Sequence, residues 1–437
     1  MQLNTIKGKL SLATCSLLQV TASGAQAADS EWDIDTAVLL YSESDSRVSA
    51  FEPAIYAGRN FGDEGERIDL RLVIDVLTGA TPNGAHAVSE ANGAPQTFTT
   101  PSGNGSYTAA AGETPLNSTF MDTRVAAGAD WTLPVNRLSR VKLGLNASAE
   151  YDYLSLGMSG SYIRDLNNKN TTLTASLAFN NDTYTPEGGI PDALKPMREQ
   201  GAGLNRVGSS DTKTIADFLI GVTQVVSRHT LIELNYSYGV SDGYLTDPFK
   251  IVSVVDANGK LADSGIFDTA VTANLPYVYE NRPDSRQRNN LFFRVAHHLT
   301  EDVIHFSYRY FWDDWGISSN TFDLKYRYQM GRSYLQPHVR YYMQEAADFY
   351  VHNLVQGVDV ADDGTVLLTE VSSDSRLMKL TGTTLGLKYG YALGKNSEFS
   401  VRGELMNQTF DDGDVIAGEE TPDLDAVILN VGYSLVW

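Results

Sequence analysis

The sequence predicts an all-β fold, an up-and-down antiparallel barrel of the transmembrane kind with about 16 strands. Three observations predict it. Segments of strict apolar/polar alternation recur along the whole chain. The connections between them are sorted, short on one side and long on the other. The last segment carries an apolar row that ends in an aromatic residue, Trp437.

Composition narrows the class. The chain has 437 residues, a formal charge of −21 and one cysteine. It holds no uninterrupted apolar run of about 18 residues, which excludes a bundle of membrane-spanning helices. Such an acidic balance argues against nucleic acid as a partner, because phosphate binding needs a cationic surface. With Tyr 23, Gly 37 and only 20% charged residues, the composition favours strands over helices.

The N-terminus reads as an address. Lys7 and Lys9 precede a mostly apolar stretch from Leu10 to Val20, and Ala25-Gln26-Ala27 forms a small-x-small cleavage site, so residues 1–27 resemble a bacterial secretory signal and 28–437 the barrel. Leu12-Ala13-Thr14-Cys15 is a poor lipoprotein box, since Thr14 is bulky and little apolar sequence precedes it. Removing residues 1–27 also removes Cys15, and with it disulfides, thiolate metal sites and cysteine nucleophiles.

The strands follow in order. Ile68 to Val76 sets an apolar row on one face and Asp69, Arg71 and Asp75 on the other, which is the period of a strand and not of a helix. The same alternation predicts strands near 31–43, 48–58, 67–78, 120–132, 139–152, 154–164, 170–180 and 212–226. It continues near 230–241, 285–298, 303–315, 317–329, 333–347, 374–392, 396–410 and 423–437.

Between them, 134–138, 166–169, 227–229, 300–302, 331–332 and 394–395 are turn-like, whereas 79–119, 181–211, 242–284, 348–373 and 411–422 are long. All the long loops fall on one side. A bacterial outer-membrane barrel has this asymmetry, with short periplasmic turns, long extracellular loops and an even strand number. Trp437, Leu435, Tyr433, Val431, Leu429 and Val427 share the face of the final strand, and Tyr433, Leu435 and Trp437 resemble the terminal assembly signal of such proteins, with Trp where Phe is usual. Tyr308, Tyr310, Trp312, Trp315, Tyr341, Tyr350, Tyr389 and Tyr391 gather toward strand ends, where amphipathic rings suit the headgroup level.

Particular segments go further. Thr78 to Ala85, Thr100-Pro101-Ser102-Gly103, Glu150-Tyr151-Asp152-Tyr153 and Ser241 to Pro248 resemble an uncharacterised family of proteobacterial outer-membrane barrels, over nearly the whole chain. The resemblance implies a signal peptide, a single barrel in the outer membrane of a Gram-negative bacterium, and genes often set beside a flavin-transferring enzyme and a small lipoprotein. It implies no activity and no cofactor. The partners expected are outer-membrane lipids, the barrel-assembly machinery and a periplasmic lipoprotein.

If the apolar rows face lipid, one inward arc holds Arg294, His298, His305, Arg309, Lys325, Arg327, His338 and Arg340. Elsewhere the inward rows hold Asp33, Asp35, Asp69, Asp75, Glu150, Asp152 and Glu233. Two readings stay open. Opposed arcs would set up a transverse field that filters ions, and neighbouring charges would otherwise pair and stiffen the wall.

Catalysis finds no support. Ser307 and His305 are alternation neighbours rather than an activated pair, and no phosphate-binding loop or zinc-binding helix pattern occurs. His297 and His298 point to opposite faces of a strand. Asp411-Asp412-Gly413-Asp414 and Asp359 with Asp362-Asp363-Gly364 carry oxygens suited to calcium, but such clusters are more often solvated turns. Two functional classes follow: a channel for small polar solutes, or a plugged scaffold for a periplasmic or flavin-linked lipoprotein.

Overall fold

The computed structural model describes residues 32–44, 47–61, 65–80, 82–86, 94–117, 120–267, 273–411, 413 and 421–437. The signal region, and most of the Asp411–Asp414 cluster, lie outside these residues.

Sixteen antiparallel strands close into one barrel. In chain order they are β1 Trp32–Glu43, β2 Ser49–Phe61, β3 Glu66–Gly79, β4 Phe120–Asn136, β5 Ser139–Ala149, β6 Tyr153–Leu166, β7 Thr171–Tyr184 and β8 Asp211–Ser227. They continue as β9 Thr230–Gly243, β10 Ser285–His298, β11 Val303–Asp313, β12 Ser318–Met330, β13 Ser333–Gln344, β14 Lys379–Ala392, β15 Ser397–Asp411 and β16 Leu424–Val436. Each strand pairs with its neighbours in sequence, and β1 pairs with β16, so no backbone edge is left open. The seam is tied at its end by Trp32 and Trp437, whose backbone groups exchange N–H···O bonds of 2.5 and 2.8 Å.

The alternation works as read. Outward rows carry Leu70, Leu145, Leu177, Leu324, Leu385 and Leu405, all exposed, the condition of side chains meant for lipid. Inward rows alternate with them, as in β12, where buried Asp323 sits between exposed Phe322 and Leu324. The strand expected over 139–152 stops at Ala149. A tight turn closed by Glu150 N–H to the Tyr153 carbonyl at 2.7 Å ends it, which places Glu150 and Asp152 off the strands. The strand expected from 374 begins at Lys379, after a 3-10 turn at Ser375–Leu377 capped by the Asp374 side chain.

The long links are not structureless. The 96–99 and 106–109 segments form a hairpin, and 196–198, 251–255, 274–279 and 354–355 make a four-stranded sheet. Val252, Val254, Val278, Leu354, Val360 and Val371 form a core there at 0% exposure. Each such side chain contributes about 1.5–3 kcal/mol on burial. These links leave the barrel after β3, β7, β9 and β13, at well-separated points of the ring, yet they touch one another, so together they span one mouth as a cap. Gly84 permits one close approach. With φ +97 its missing Cβ would stand 1.8 Å from the Ile251 carbonyl oxygen.

Candidate functional site: a charged lumen under a folded cap

Two features could act on a solute, the inward wall and the cap. Across β5 to β8 several inward positions are small, Gly144, Gly157, Ser159, Ser161, Ser176 and Gly221, among polar ones such as Lys142, Asn146, Asn180 and Asp217. On β10 to β13 and β15 the inward positions include long charged residues, among them Arg288, Arg294, Arg309, Lys325, Arg340 and Arg402, while β14 presents Gly382, Thr384 and Gly386 beside Lys388. Short inward side chains leave room for solvent beside the long ones. Arg294 and Arg340 point inward yet keep 43% and 47% of their side-chain surface accessible, so the lumen is wet at their level.

Register decides how the charges meet. Asp323 on β12 takes a 3.0 Å bond from Arg340 Nε, stands 3.3 Å from Lys325 and lies 2.8 Å from His338 Nε2, while His338 Nδ1 lies 2.8 Å from Glu404. Arg294 lies 2.7 Å from Glu233, its direct partner across β9 and β10. The region read as acidic also contains arginines. Arg67 donates to Asp33 and Asp69, Arg71 to Asp130, and Arg124 to Asp75. The wall is thus a ring of neighbour pairs, not an acidic face opposite a basic one, because like charges directly across a ladder repel and opposite ones attract.

Arg309 and Arg327 differ. Among the described residues neither has a carboxylate within ion-pair range. Arg309 lies 5.6 Å from the Phe292 ring centroid, and Arg327 lies 3.6 Å from that of Tyr334. Sequence reading missed Lys388 and Arg402, which belong with them. Both sit at inward positions of β14 and β15, directly opposite each other. Carrying the inward parity on past residue 347 would have found them.

The cap holds a second charged cluster, also missed. Asp247, Lys250, Glu280 and Arg282 from the link after β9 meet Asp374 and Arg376 from the link after β13. Arg282 Nη2 reaches Asp374 at 2.8 Å and its Nε reaches Glu280 at 2.6 Å. Arg376 bridges Asp247 at 2.8 Å and Asp374, and Lys250 stands 3.6 Å from Asp374. Three acids thus face three bases, and Lys250 also donates to the Pro82 carbonyl in the link after β3. Burial pushes the Asp374 carboxyl up, but Arg376, Lys250 and Arg282 override it and hold the group well below the usual range. At Glu280 burial wins over Arg282, with Asp247 and Asp374 adding repulsion, and the carboxyl is pushed up.

Aromatic placement needs one correction. Trp131, Tyr162, Tyr328, Tyr389 and Tyr433 are exposed toward the short-turn end, while Tyr310 and Trp312 stack outside the opposite end with centroids 5.1 Å apart. Trp315 and Tyr350 are not part of that belt. They lie in links, Trp315 at 4% exposure against Phe349, because these links fold inward on a core of their own. In the cap, Asp359 accepts from Val355 N–H and Asp363 from Thr365 N–H.

An apolar outer belt with aromatic girdles around a polar interior defines a transmembrane β-barrel. The chain belongs to the family described as "Protein of unknown function (DUF3570)", which it matches over residues 7–435. No curated protein matches its sequence. Similar solved structures include Pseudomonas aeruginosa OccK5, at TM-score 0.41 and 10% identity over 94% of this chain and 98% of that one. The "CymD monoaromatic hydrocarbon channel" aligns at 0.39 and 9% over 94% and 90%. Pseudomonas aeruginosa OccK2, solved in complex with glucuronate, aligns at 0.40 and 9% over 93% and 98%. At such scores the conclusions below rest on the barrel's own geometry.

Proposed function

We propose that the protein is an outer-membrane channel of a Gram-negative bacterium that passes small polar solutes or ions through its charged lumen. The observation that carries this is the solvent-accessible charged interior, where inward arginines such as Arg294 and Arg340 keep 43% and 47% of their side-chain surface accessible while small inward residues such as Gly144, Gly157 and Ser159 leave space elsewhere on the wall. Sixteen strands is a size at which barrels leave an aqueous channel. In this reading the cap narrows the outer mouth, and the residues that line the path include Arg294, Arg309, Lys325, Arg327, Arg340, Asp69, Asp75 and Glu233.

A second reading is favoured by the cap itself. Links from four points of the ring meet over one mouth, which suits a plugged scaffold whose periplasmic face holds a lipoprotein, a flavin-linked one as the family resemblance implies. Conductance in planar bilayers separates the two. The purified barrel is expected to give discrete steps, and Arg309→Gln to move the reversal potential toward cation preference, since lumen changes tune selectivity more than stability. A folded barrel with no conductance would replace the channel by the scaffold.

A further inference from the structure

Near the short-turn end of the lumen the inward wall breaks its own pairing rule. Lys388 on β14 lies directly opposite Arg402 on β15, and Arg327 on β12 stacks 3.6 Å above the Tyr334 ring, from whose centroid Lys388 Nζ is 5.7 Å. Like charges set directly across a ladder are destabilising. The nearby carboxylates relieve them only in part, through Glu404 on Arg402. Glu398 takes the Tyr334 hydroxyl at 2.6 Å. Glu404 is shared, 2.8 Å from His338 and 3.7 Å from Arg402, which leaves Arg327 and Lys388 as the cations of this group without a carboxylate. Among the described residues, Arg327 and Lys388 have no carboxylate within 4.0 Å, whereas most other inward cations do.

We propose that Arg327, Lys388 and Arg402 form an oxyanion-binding site that takes the carboxylate or phosphate group of a small solute at the periplasmic end of the lumen. The guanidinium of Arg327 offers a planar fork suited to such a group, and Lys388 adds a point charge with mobile donors. Tyr334 holds both cations in place from below, its hydroxyl fixed by Glu398. A bound anion supplies the counter-charge that the wall omits, so the repulsion between Lys388 and Arg402 becomes attraction for the ligand.

The proposal deepens the channel reading and rests on it for the anion's access, but its test needs no current. Titration calorimetry on the full-length barrel in detergent, with inorganic phosphate in one series and succinate in another, is expected to show saturable binding of at least one that weakens with added chloride. Arg327→Gln and Lys388→Gln should each weaken it about tenfold or more, the scale of one lost charged hydrogen bond. Lys388→Arg should keep it. Gln336→Glu, which sets a carboxylate directly opposite Lys388, should abolish it while leaving every cation in place, so a folding failure in the Gln variants would not spare the idea. Lys379→Gln, at the opposite end of β14, should bind as the parent does. Absence of saturable binding to either anion by folded barrel, or equal binding by Gln336→Glu, overturns the site. Binding without conductance keeps the site and overturns only the channel.

Discussion

Adjacent residues on one strand face different solvents, and that contrast is measurable. On β12, Leu324 is 48% exposed on the outer wall between inward Asp323 and Lys325. Leu324→Arg is expected to cost about 2–4 kcal/mol if it lies near the bilayer midplane, whereas Lys325→Gln should fold nearly as the parent does. Urea unfolding in lipid vesicles checks it, and similar losses at both positions would reverse the inward and outward assignment. Trp437 is 76% exposed beside the seam and ends the outward row that begins at Val427. Trp437→Asp removes the aromatic end and should sharply reduce the amount of barrel in outer-membrane fractions. Unchanged abundance would mean that the terminal row is not read during assembly.

Strands and links differ in how much of them the sequence declares. A lipid-facing strand must alternate over its whole membrane depth, so all sixteen could be read from period-2 rows, with their ends shifted by a few residues. Cap strands of 2 to 6 residues have no such length over which a period can show, and some of their pairings, 196–198 with 274–279 and 251–255 with 354–355, join different links. Charge pairing was equally hidden, because Arg282 and Asp374 are 92 residues apart in sequence and meet only through the fold.

The cap cluster yields the next prediction. Arg376→Gln leaves Asp374 and Asp247 buried with one cation fewer, a loss on the scale of about 3–5 kcal/mol for a broken buried pair. Hydrogen exchange should then rise at 251–255 and 354–355 while the barrel strands stay protected; a uniform rise would show that cap and barrel are one cooperative unit. Its pH response follows from the two carboxyls. Asp374, depressed, contributes stability above its unfolded pKa that is lost only as pH falls through its still lower folded value. Glu280, raised, favours the folded cap below its unfolded pKa, and that contribution is lost as pH rises through its folded value. Mild acidification to about pH 5 should therefore leave cap protection undiminished.

For the molecule as a whole, closure predicts heat modifiability. Unheated protein should migrate faster than boiled protein on a detergent gel, because a barrel whose first and last strands pair has no edge from which to fray. A single unshifted band would count against closure. On intact cells, external protease is expected to cut within the long links and to spare the turns at Gly331-Arg332 and Gly394-Lys395. Cuts confined to those turns would invert the barrel in the membrane.

The way the cap is stitched also fixes an order of events. Ser253 bonds the Gly84 carbonyl across 169 residues of chain, Lys250 reaches Pro82 across 168, and Arg206 reaches Pro101 across 105. Strand pairs joined by short turns close small loops first, and contacts of such long separation must wait until the intervening strands have brought their ends together. The cap thus forms after the hairpins that frame it. A variant unable to complete the stitching, such as Arg376→Gln, would leave the capped mouth open: a leak that shows as sensitivity of the cell to large antibiotics before any loss of barrel is seen.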